Sequence, residues 1–429
     1  MRSALLLVCA ASLSLSAADW PAWRGPNGDG VSPETKFPTT WSATKNVRWR
    51  VELPDRGNAT PIVAAGKVFV PQAIDADGRR LLLAFDRATG AKLWEAGTKF
   101  DGQEETHEAN PHCAASPVTD GERVVVTFGS AGVFAYDLAG KELWRRDLGP
   151  QRHMWGNASS PVIHGAHVLL YHGPGPHSRL VALDRRTGAV AWEKALPEPV
   201  PTARTDGFRG QTPGVVGSFA TPILVRAGGR DELVLGLPGE VRAWDPVTGR
   251  ELWHCAGLNP LVYLTPTFGE GLVFAAGGYF GSALAVRPGG EGDVTATHRV
   301  WHEERNRKGR LGSAVIRDGH AFLVNMDGMA ECLELKTGRQ VWLERLDGPG
   351  AGNDTWSSMT LAGDLIYAVN QAGEVFVLRA APQFELLATN SVGEYTNSSL
   401  AMSDGELFLR TWKGLWCLST KGTQVAARE

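Results

Sequence analysis

The sequence lacks a charge imbalance and, beyond its N-terminus, any long hydrophobic run. Its 429 residues include 43 Lys and Arg against 46 Asp and Glu, so the formal net charge is −3. This balance argues against a nucleic-acid scaffold, because such proteins carry a basic surface. No apolar run reaches the roughly 20 residues that a transmembrane helix needs. Hydrophobic residues at 43% and charged residues at 21% are typical of a folded globular chain.

Cysteines are also few, and none of the five belongs to a C-x-x-C or C-x-x-C-H motif. This excludes covalent c-type haem and argues against a structural zinc site. Beyond Cys9, the cysteines are Cys113, Cys255, Cys332 and Cys417. They permit three disulfide connectivities, although their wide separation and strand-like surroundings favour buried thiols. The G-x-S-x-G, phosphate-loop and H-E-x-x-H motifs are absent as well, so no motif assigns a nucleophile or a metal.

The first 18 residues resemble an export signal in their layout. Arg2 supplies a positive charge, an apolar stretch runs from Ala4 to Leu15, and the small residues Ser16 to Ala18 follow. This order is typical of a secretory signal peptide cleaved before Asp19. We therefore expect an exported protein that is periplasmic or extracellular.

One pattern repeats through nearly the whole chain: a Ser or Thr, several short apolar runs separated by turns, then Thr-Gly or Gly and a Trp. The opening residues are Thr60, Ser116, Ser160, Thr221, Thr265, Ser313, Ser358 and Ser399. The same spacing of four separates a glycine from a tryptophan in Gly90–Trp94, Gly140–Trp144, Gly188–Trp192, Gly249–Trp253 and Gly338–Trp342. Short alternating runs predict four antiparallel strands per repeat, which is the pattern of a β-propeller blade.

The predicted fold is therefore all-β, an eight-bladed β-propeller of four-stranded antiparallel blades. The last repeat stops after Leu415–Leu418, and Val47–Val51 matches the outer strand that it lacks. We expect this N-terminal strand to complete the last blade and close the ring. The predicted organisation is a signal peptide (1–18), an N-terminal extended arm (19–46), the propeller (47–420) and a C-terminal tail (421–429).

The recurrent tryptophans are expected to pack between adjacent blades, where burial of aromatic rings stabilises most. The residues with this predicted structural role are Trp49, Trp94, Trp144, Trp192, Trp253, Trp301 and Trp342. Blade 7 has Leu386 and Leu387 in the corresponding region, so we expect one weaker seam.

The long loops are predicted to lie on one face of the ring. Tight turns join strands one to two and three to four on the turn face. The long-loop face receives the remaining connections, including 98–114, 196–219, 303–311 and 346–356. Long loops in a compact domain are usually functional. The ligand-binding candidates on this face are His107, Asn110, His112, His153, Trp155, Asn157, Arg209, Tyr263, Arg310, Asp354, Trp356, Asn397 and Trp412.

The histidines among these candidates allow two interpretations. They could form a metal or acid–base site. They could instead belong to a network of hydrogen-bonded imidazoles, which we favour because no spacing matches a ligand motif. The planar and polar side chains together predict a site for a polar or planar ligand. The alternative is that they only line a water-filled channel.

The repeats resemble those of pyrroloquinoline quinone-like propellers over residues 47–420. The segments 19–31 (DWPAWRGPNGDGV) and 106–112 (THEANPH) resemble the exported quinoprotein-like family common in planctomycetes. Quinone-dependent dehydrogenases of this fold imply a bound quinone, Ca²⁺ and a catalytic Asp. Their eight-bladed alcohol dehydrogenases carry adjacent cysteines that this chain lacks, so no catalytic residue is transferred. Similar repeats also build a non-catalytic outer-membrane assembly propeller.

Two functional hypotheses follow from the sequence. The first is an exported, non-catalytic binding or scaffold propeller that recognises a protein, glycan or small polar ligand at the long-loop face. It expects no cofactor, no nucleic acid and no transmembrane segment. The alternative is a quinone- or metal-dependent oxidoreductase with pyrroloquinoline quinone and Ca²⁺ in the channel mouth.

Overall fold

The computed structural model describes residues 19–200, 213–279, 281–304, 309–350 and 354–421. These residues form an all-β, eight-bladed propeller, as predicted, with four antiparallel strands in each blade. Their only helical element is a single 3₁₀ turn at Gly129–Ala131. The predicted signal peptide and residues 422–429 of the predicted tail lie outside the described residues.

The strands follow chain order within each blade, except where the N-terminal arm contributes. The arm contains β1 (Val31–Ser32) and β2 (Val47–Glu52). Blade 1 contains β3 (Ile62–Ala64), β4 (Lys67–Ile74), β5 (Arg79–Asp86) and β6 (Lys92–Lys99). Blade 2 contains β7 (Val118–Thr119), β8 (Arg123–Thr127), β9 (Val133–Asp137) and β10 (Glu142–Arg146). Blade 3 contains β11 (Val162–His164), β12 (His167–His172), β13 (Arg179–Asp184) and β14 (Val190–Ala195).

Strand β15 (Gly217–Ser218) lies before blade 4 in the chain and pairs in parallel with a short strand that lies before blade 5. Blade 4 contains β16 (Ile223–Ala227), β17 (Arg230–Leu237), β18 (Glu240–Trp244) and β19 (Glu251–Ala256), and the partner of β15 is β20 (Leu261–Val262). Blade 5 contains β21 (Thr267–Gly269), β22 (Leu272–Ala276), β23 (Ala283–Val286) and, after β24 (Gly292–Asp293), β25 (Arg299–Glu303). Strand β24 adds to the outer edge of blade 4 in parallel with β19.

Blades 6 to 8 complete the ring. Blade 6 contains β26 (Val315–Arg317), β27 (His320–Val324), β28 (Met329–Glu334) and β29 (Gln340–Arg345). Blade 7 contains β30 (Thr360–Ala362), β31 (Leu365–Val369), β32 (Glu374–Arg379) and β33 (Leu386–Ser391). Blade 8 contains β34 (Ala401–Ser403), β35 (Glu406–Arg410) and β36 (Gly414–Leu418). Strand β2 pairs antiparallel with β36 and is the fourth, outermost strand of blade 8. Both ends of the propeller therefore share one blade.

The hydrophobic core lies at the seams between blades. The middle strands are buried on both faces; β8, for example, has no exposed residue. Phe69 and Leu82 of blade 1 cluster with Val124 and Phe134 of blade 2. Apolar side chains on both faces of a middle strand are needed because each blade packs against a neighbour on either side.

The Ser and Thr residues that open the repeats form a hydrogen-bonded belt around the central channel. In each link of the belt, a hydroxyl oxygen accepts the backbone N–H of the corresponding residue in the preceding blade. The links, from donor N–H to acceptor hydroxyl, are Ser116 to Ser160, Ser160 to Thr221, Thr221 to Thr265, Thr265 to Ser313, Ser313 to Ser358, Ser358 to Ser399 and Ser399 to Thr60, at 2.8–3.2 Å. The belt joins blade 8 to blade 1 and so spans the point of closure.

Six of the predicted structural tryptophans contact the next blade. The indole N–H donates to a backbone carbonyl there in Trp49 to Arg87, Trp94 to Leu138, Trp144 to Arg185, Trp301 to Leu335 and Trp342 to Ala381, at 2.8–3.1 Å. The Trp192 ring lies against Gly249 of the next blade. Trp253 differs, since it is fully buried and its indole N–H donates to Glu232 of its own blade at 2.7 Å.

The arm fills the seam beside blade 7, which lacks its own tryptophan. Phe37 and Trp41 are buried there in a cluster with Val392 and Leu400. The Trp41 backbone N–H donates to Asn390 Oδ1 at 2.8 Å, and Asn390 Nδ2 donates to the Thr39 carbonyl at 3.0 Å. A ring from the arm therefore packs at the seam for which the sequence predicted weakness.

Earlier residues of the arm cross the central channel at the turn face. Trp20 forms two backbone hydrogen bonds with Val63 of blade 1, at 2.8 and 2.9 Å, and the Pro21 carbonyl accepts from Thr119 of blade 2. Strand β1 pairs in parallel with β30, the inner strand of blade 7. All three contacts lie just before the first hairpin turn of a blade. The arm therefore closes the channel at that face.

Arg24 fixes this crossing segment to blades 6 and 7. Its guanidinium donates to the carbonyls of Asp29 and Ala314, and it lies 3.4 Å from those of Ser313 and Met359. Burial lowers the pKa of Arg24 to about 10, which still leaves it charged at neutral pH. Carbonyl dipoles stabilise the charge here, because a buried cation needs hydrogen-bond partners.

The four cysteines of the described chain are buried free thiols. Burial raises the pKa of Cys113 to about 12 and that of Cys255 to about 11. In the part of the chain that the structure describes, no helix has the length and apolar character needed to cross a membrane.

Candidate functional site

A cavity of about 350 Å³ opens at the long-loop face of the central channel. Its volume lies within the ~300–1,000 Å³ usual for small-molecule sites. Trp23 of the arm is among its lining residues, and the arm closes the channel at the opposite face. The other lining residues are Asn58, Thr60, His107, Asn110, Ala114, Ser116, Trp155, Ala158, Ser160, Phe219, Tyr263, Tyr279, Leu311, Ser313, Trp356, Ser358, Asn397 and Ser399.

Six of the candidates from the sequence line this cavity together. They are His107, Asn110, Trp155, Tyr263, Trp356 and Asn397. They come from five different loops, which the ring brings to one mouth. Most of their polar atoms already have protein partners: Asn110 Nδ2 donates to the Trp155 carbonyl at 2.8 Å, and Asn397 Nδ2 to the Ala109 carbonyl at 3.1 Å.

Three further candidates lie behind the lining and hold it in place. His153 Nδ1 accepts the Trp155 N–H at 3.2 Å, and its Nε2 lies 3.1 Å from the Val216 carbonyl. Burial lowers the pKa of His153, in keeping with a neutral imidazole that donates through Nε2. His112 Nδ1 lies 2.8 Å from Asp75 Oδ1, and Asn157 Nδ2 donates to Glu104 at 3.1 Å.

Glu104 is the centre of the polar network under these loops. Its Oε1 accepts the Ser130 N–H at 2.9 Å, the Ser130 hydroxyl at 3.1 Å and the Asn157 amide. Burial raises the pKa of Glu104, although these hydrogen bonds and His112 oppose the rise. Among the described residues no three His, Cys, Asp or Glu side chains group as metal ligands. The geometry is that of a hydrogen-bonded loop network.

The remaining candidates do not line the cavity. Arg310 is buried and engaged by Glu331 on two nitrogens, at 2.6 and 3.2 Å, and by Glu303 at 2.9 Å. Trp412 donates to Asn58 Oδ1 at 3.0 Å and so supports the rim. Asp354 is exposed, and its carbonyl accepts the Gln371 N–H. Arg209 lies outside the described residues.

The aromatic residues form one continuous wall. Phe219 and Tyr263 are nearly parallel, with centroids 5.2 Å apart and an interplanar angle of 8°. Trp155 lies 6.3 Å from Tyr263 at 22°, and Tyr279 meets Tyr263 edge-on at 5.6 Å. Edge contacts from His153 to Trp155 and Phe219 support the wall from behind. Such a wall can pack against a flat or apolar ligand face.

A family profile described as outer membrane protein assembly factor BamB matches residues 38–208 and 176–427. The chain belongs to this family. The match supports the pyrroloquinoline quinone-like repeats that the sequence predicted. A search of curated protein sequences gave no match.

Solved structures similar to this BamB-family propeller include a BamB protein and an alcohol dehydrogenase. BamB from Moraxella catarrhalis is 15% identical with a TM-score of 0.61, covering 88% of this chain and 99% of that one. Quinohemoprotein alcohol dehydrogenase from Comamonas testosteroni is 13% identical with a TM-score of 0.65, covering 96% and 82%. At these identities the likeness shows the fold alone.

Several lining residues of this BamB-family chain were missed by sequence reasoning. Phe219 and Tyr279 sit at loop ends on the long-loop face and could have been found from that position. The Ser and Thr residues that open the repeats were used only to mark where each repeat begins, and their hydroxyls were not expected to line a cavity. Trp23 had no usable signal, because nothing in its local sequence shows that the arm crosses the channel.

Proposed function

We propose that the protein is an exported, non-catalytic binding propeller whose ligand enters the cavity at the long-loop face. The observation that carries the proposal is a one-ended cavity in which aromatic rings, amides and hydroxyls meet. The arm supports this proposal because it lies across the channel at the turn face, opposite the cavity mouth. The proposed place of action is outside the cytoplasm, which rests on the leader-like layout of residues 1–18.

The donor set of the cavity does not fit pyrroloquinoline quinone with Ca²⁺. That cofactor is planar, which suits the aromatic wall, but it carries several carboxylates and a divalent cation. The described lining residues include no Arg, Lys, Asp or Glu to pair with them. Arg310, one of the ligand-binding candidates from the sequence, is buried and already engaged by two glutamates. Burying unpaired charges is costly, so we favour binding over quinone-dependent oxidation.

Because the family description names an assembly factor, a protein that binds the rim of the long-loop face is the second candidate ligand. A cavity of this size admits a small ligand or the end of a chain rather than a folded domain. The small-ligand interpretation is therefore the one we carry forward.

Filling the cavity tests this function. Ala158 lines the cavity and is partly exposed, so Ala158→Phe should occupy space that a ligand needs. We expect compounds from a library of neutral and charged small molecules to raise the melting temperature of the wild-type protein and not that of Ala158→Phe. We expect pyrroloquinoline quinone with Ca²⁺ not to be among them.

Ala139→Phe is the matched control, because Ala139 is an exposed turn residue on the other face. It should respond to ligands as the wild type does. Stabilisation by the quinone with Ca²⁺ that Ala158→Phe abolishes would replace the proposal with the oxidoreductase. Ligands that stabilise all three proteins equally would show that the cavity is not the binding site.

A further inference from the structure

The belt hydroxyls that line the cavity have hydrogens left to donate. Six belt residues line it: Thr60, Ser116, Ser160, Ser313, Ser358 and Ser399. Five of their oxygens accept a backbone N–H, but none of the six hydroxyls donates to an acceptor among the described residues.

Ser116 is the clearest of these groups. The residue is 1% exposed and lines the cavity, and it is the one belt residue among these six whose hydroxyl accepts no belt N–H. A hydroxyl that faces a cavity can have its hydrogen bonding completed there by a ligand or by water. The belt hydroxyls therefore favour a ligand with several acceptor oxygens close together.

The charge of the lining restricts that ligand further. The described lining residues include no Arg, Lys, Asp or Glu, and the backbone N–H groups of Ser313 and Ser358 already donate within the belt. A carboxylate or phosphate would be desolvated without a compensating cation, which is costly. The chemistry points to a neutral ligand with many hydroxyl oxygens.

The aromatic wall supplies the other half of the recognition. Trp155, Phe219, Tyr263 and Tyr279 line the same cavity as the belt hydroxyls. A pyranose ring combines an apolar C–H face, which packs on aromatic rings, with equatorial hydroxyls that accept and donate hydrogen bonds.

We propose that the cavity binds a neutral sugar ring, as a free sugar or as the end of a glycan. This deepens the proposed binding function and rests on it. The aromatic wall packs on the apolar face of the ring, and the belt hydroxyls donate to its oxygens. Trp23 of the arm completes the cavity at its inner end.

The test measures sugar binding by saturation-transfer NMR on the whole protein. The probes are glucose, galactose, mannose and xylose, their neutral disaccharides, and glucuronic and galacturonic acid. We expect transfer to at least one neutral sugar, and at least about tenfold weaker binding of the corresponding uronic acid. Tighter binding of a disaccharide than of its monosaccharide would identify a glycan end as the ligand.

Ser116→Ala should weaken sugar binding about fivefold, the usual effect of losing one hydrogen bond. Ser116 accepts no belt hydrogen bond, so its loss leaves the belt intact. Ser159→Ala is the matched control, because Ser159 is also buried but does not line the cavity. It should bind sugar as the wild type does, and both variants should keep the wild-type melting temperature.

Three results would overturn the sugar assignment. If no sugar binds while other compounds bind in a manner blocked by Ala158→Phe, the ligand class is wrong and the binding function stands. If neither sugars nor other compounds bind the cavity, both fail. If neutral and acidic sugars bind alike, or Ser116→Ala has no effect, the uncharged belt hydroxyls are not what recognises the ligand.

Discussion

His172 shows how burial and a neighbouring charge change the chemistry of a residue in this propeller. It ends β12 and is 2% exposed. Burial, with the positive charge of Arg179, lowers the pKa of His172 to about 4. The imidazole is therefore neutral in the folded protein under conditions where an exposed histidine would gain a proton.

The depressed pKa predicts a pH-dependent stability. Between about pH 6.5 and 4 the unfolded chain binds a proton at His172 that the folded chain does not, so the free energy of unfolding falls as the pH drops. A shift of this size corresponds to up to about 3 kcal/mol. We expect His172→Gln to lose less stability than the wild type across this range, measured by urea unfolding at several pH values.

His177→Gln is the control, since His177 lies in the same connection and is exposed. Its stability should follow the wild-type pH dependence. Parallel curves for His172→Gln and the wild type would show that His172 is protonated in the folded state as readily as in the unfolded one.

At the scale of elements, the seams depend on a bulge in every outer strand. In seven blades the pairing of the third and outer strands shifts immediately before a tryptophan, as at Glu142/Trp144 and Val47/Trp49. Blade 7 has the same shift before Ala388. A bulge changes the direction of the following side chain. It thereby helps aim the ring at the next blade.

The Thr-Gly element is the surface on which most of these rings rest. Gly188 has φ +67°, and a Cβ there would lie 2.4 Å from Trp144 Cε3. We expect Gly188→Ala to lower the free energy of unfolding by about 1–3 kcal/mol more than a glycine substitution without this contact, because the ring must move. Denaturant unfolding measures the difference.

Gly165→Ala provides the comparison within the same blade. Gly165 also has positive φ, +54°, but nothing lies within 4 Å of the point that a Cβ would occupy there. Both variants place an alanine at positive φ, so the cost of backbone strain cancels when their free energies of unfolding are subtracted. Equal losses of stability would mean that the glycine is required only for its turn and not for the tryptophan.

At the scale of the whole molecule, the arm connects parts that are far apart in sequence. It crosses the channel, fills the seam beside blade 7 and ends as the outer strand of blade 8. Ring closure removes the exposed edges that an open array of blades would have. One segment therefore serves both stability and the shape of the cavity.

Truncation separates these contributions. Removal of 19–53 deletes β2 and Trp49, and the loss of one buried Trp alone costs about 3–5 kcal/mol. We expect this variant to melt well below the wild type. Removal of 19–46 keeps β2 and should have a smaller effect, although it also removes Trp20 and Trp41. Differential scanning calorimetry gives both values, and an unchanged melting temperature without residues 19–53 would contradict closure through β2.

Much of the fold could be predicted because its signals are local. The repeat openings, the Gly-to-Trp spacing and the short apolar runs each arise within one blade, so they are visible along the sequence. The outer-strand pattern in Val47–Val51 also stands out by itself. These features predicted eight blades and the face that carries the long loops.

The site was only partly predictable, because side-chain direction depends on contacts between distant segments. His107 and His112 belong to the same loop, yet only His107 faces the cavity, since His112 turns towards Asp75. Arg310 resembles a ligand-binding cation in sequence and is instead paired with Glu331.

The sequence by itself determined the number and kind of blades, because strand periodicity and turn residues act over a few neighbouring positions. Only the tertiary structure decided the path of the arm, the belt of hydroxyls and the aromatic wall. Those features require the ring to close, since closure is what brings Trp23, Ser116 and Tyr263 around one cavity.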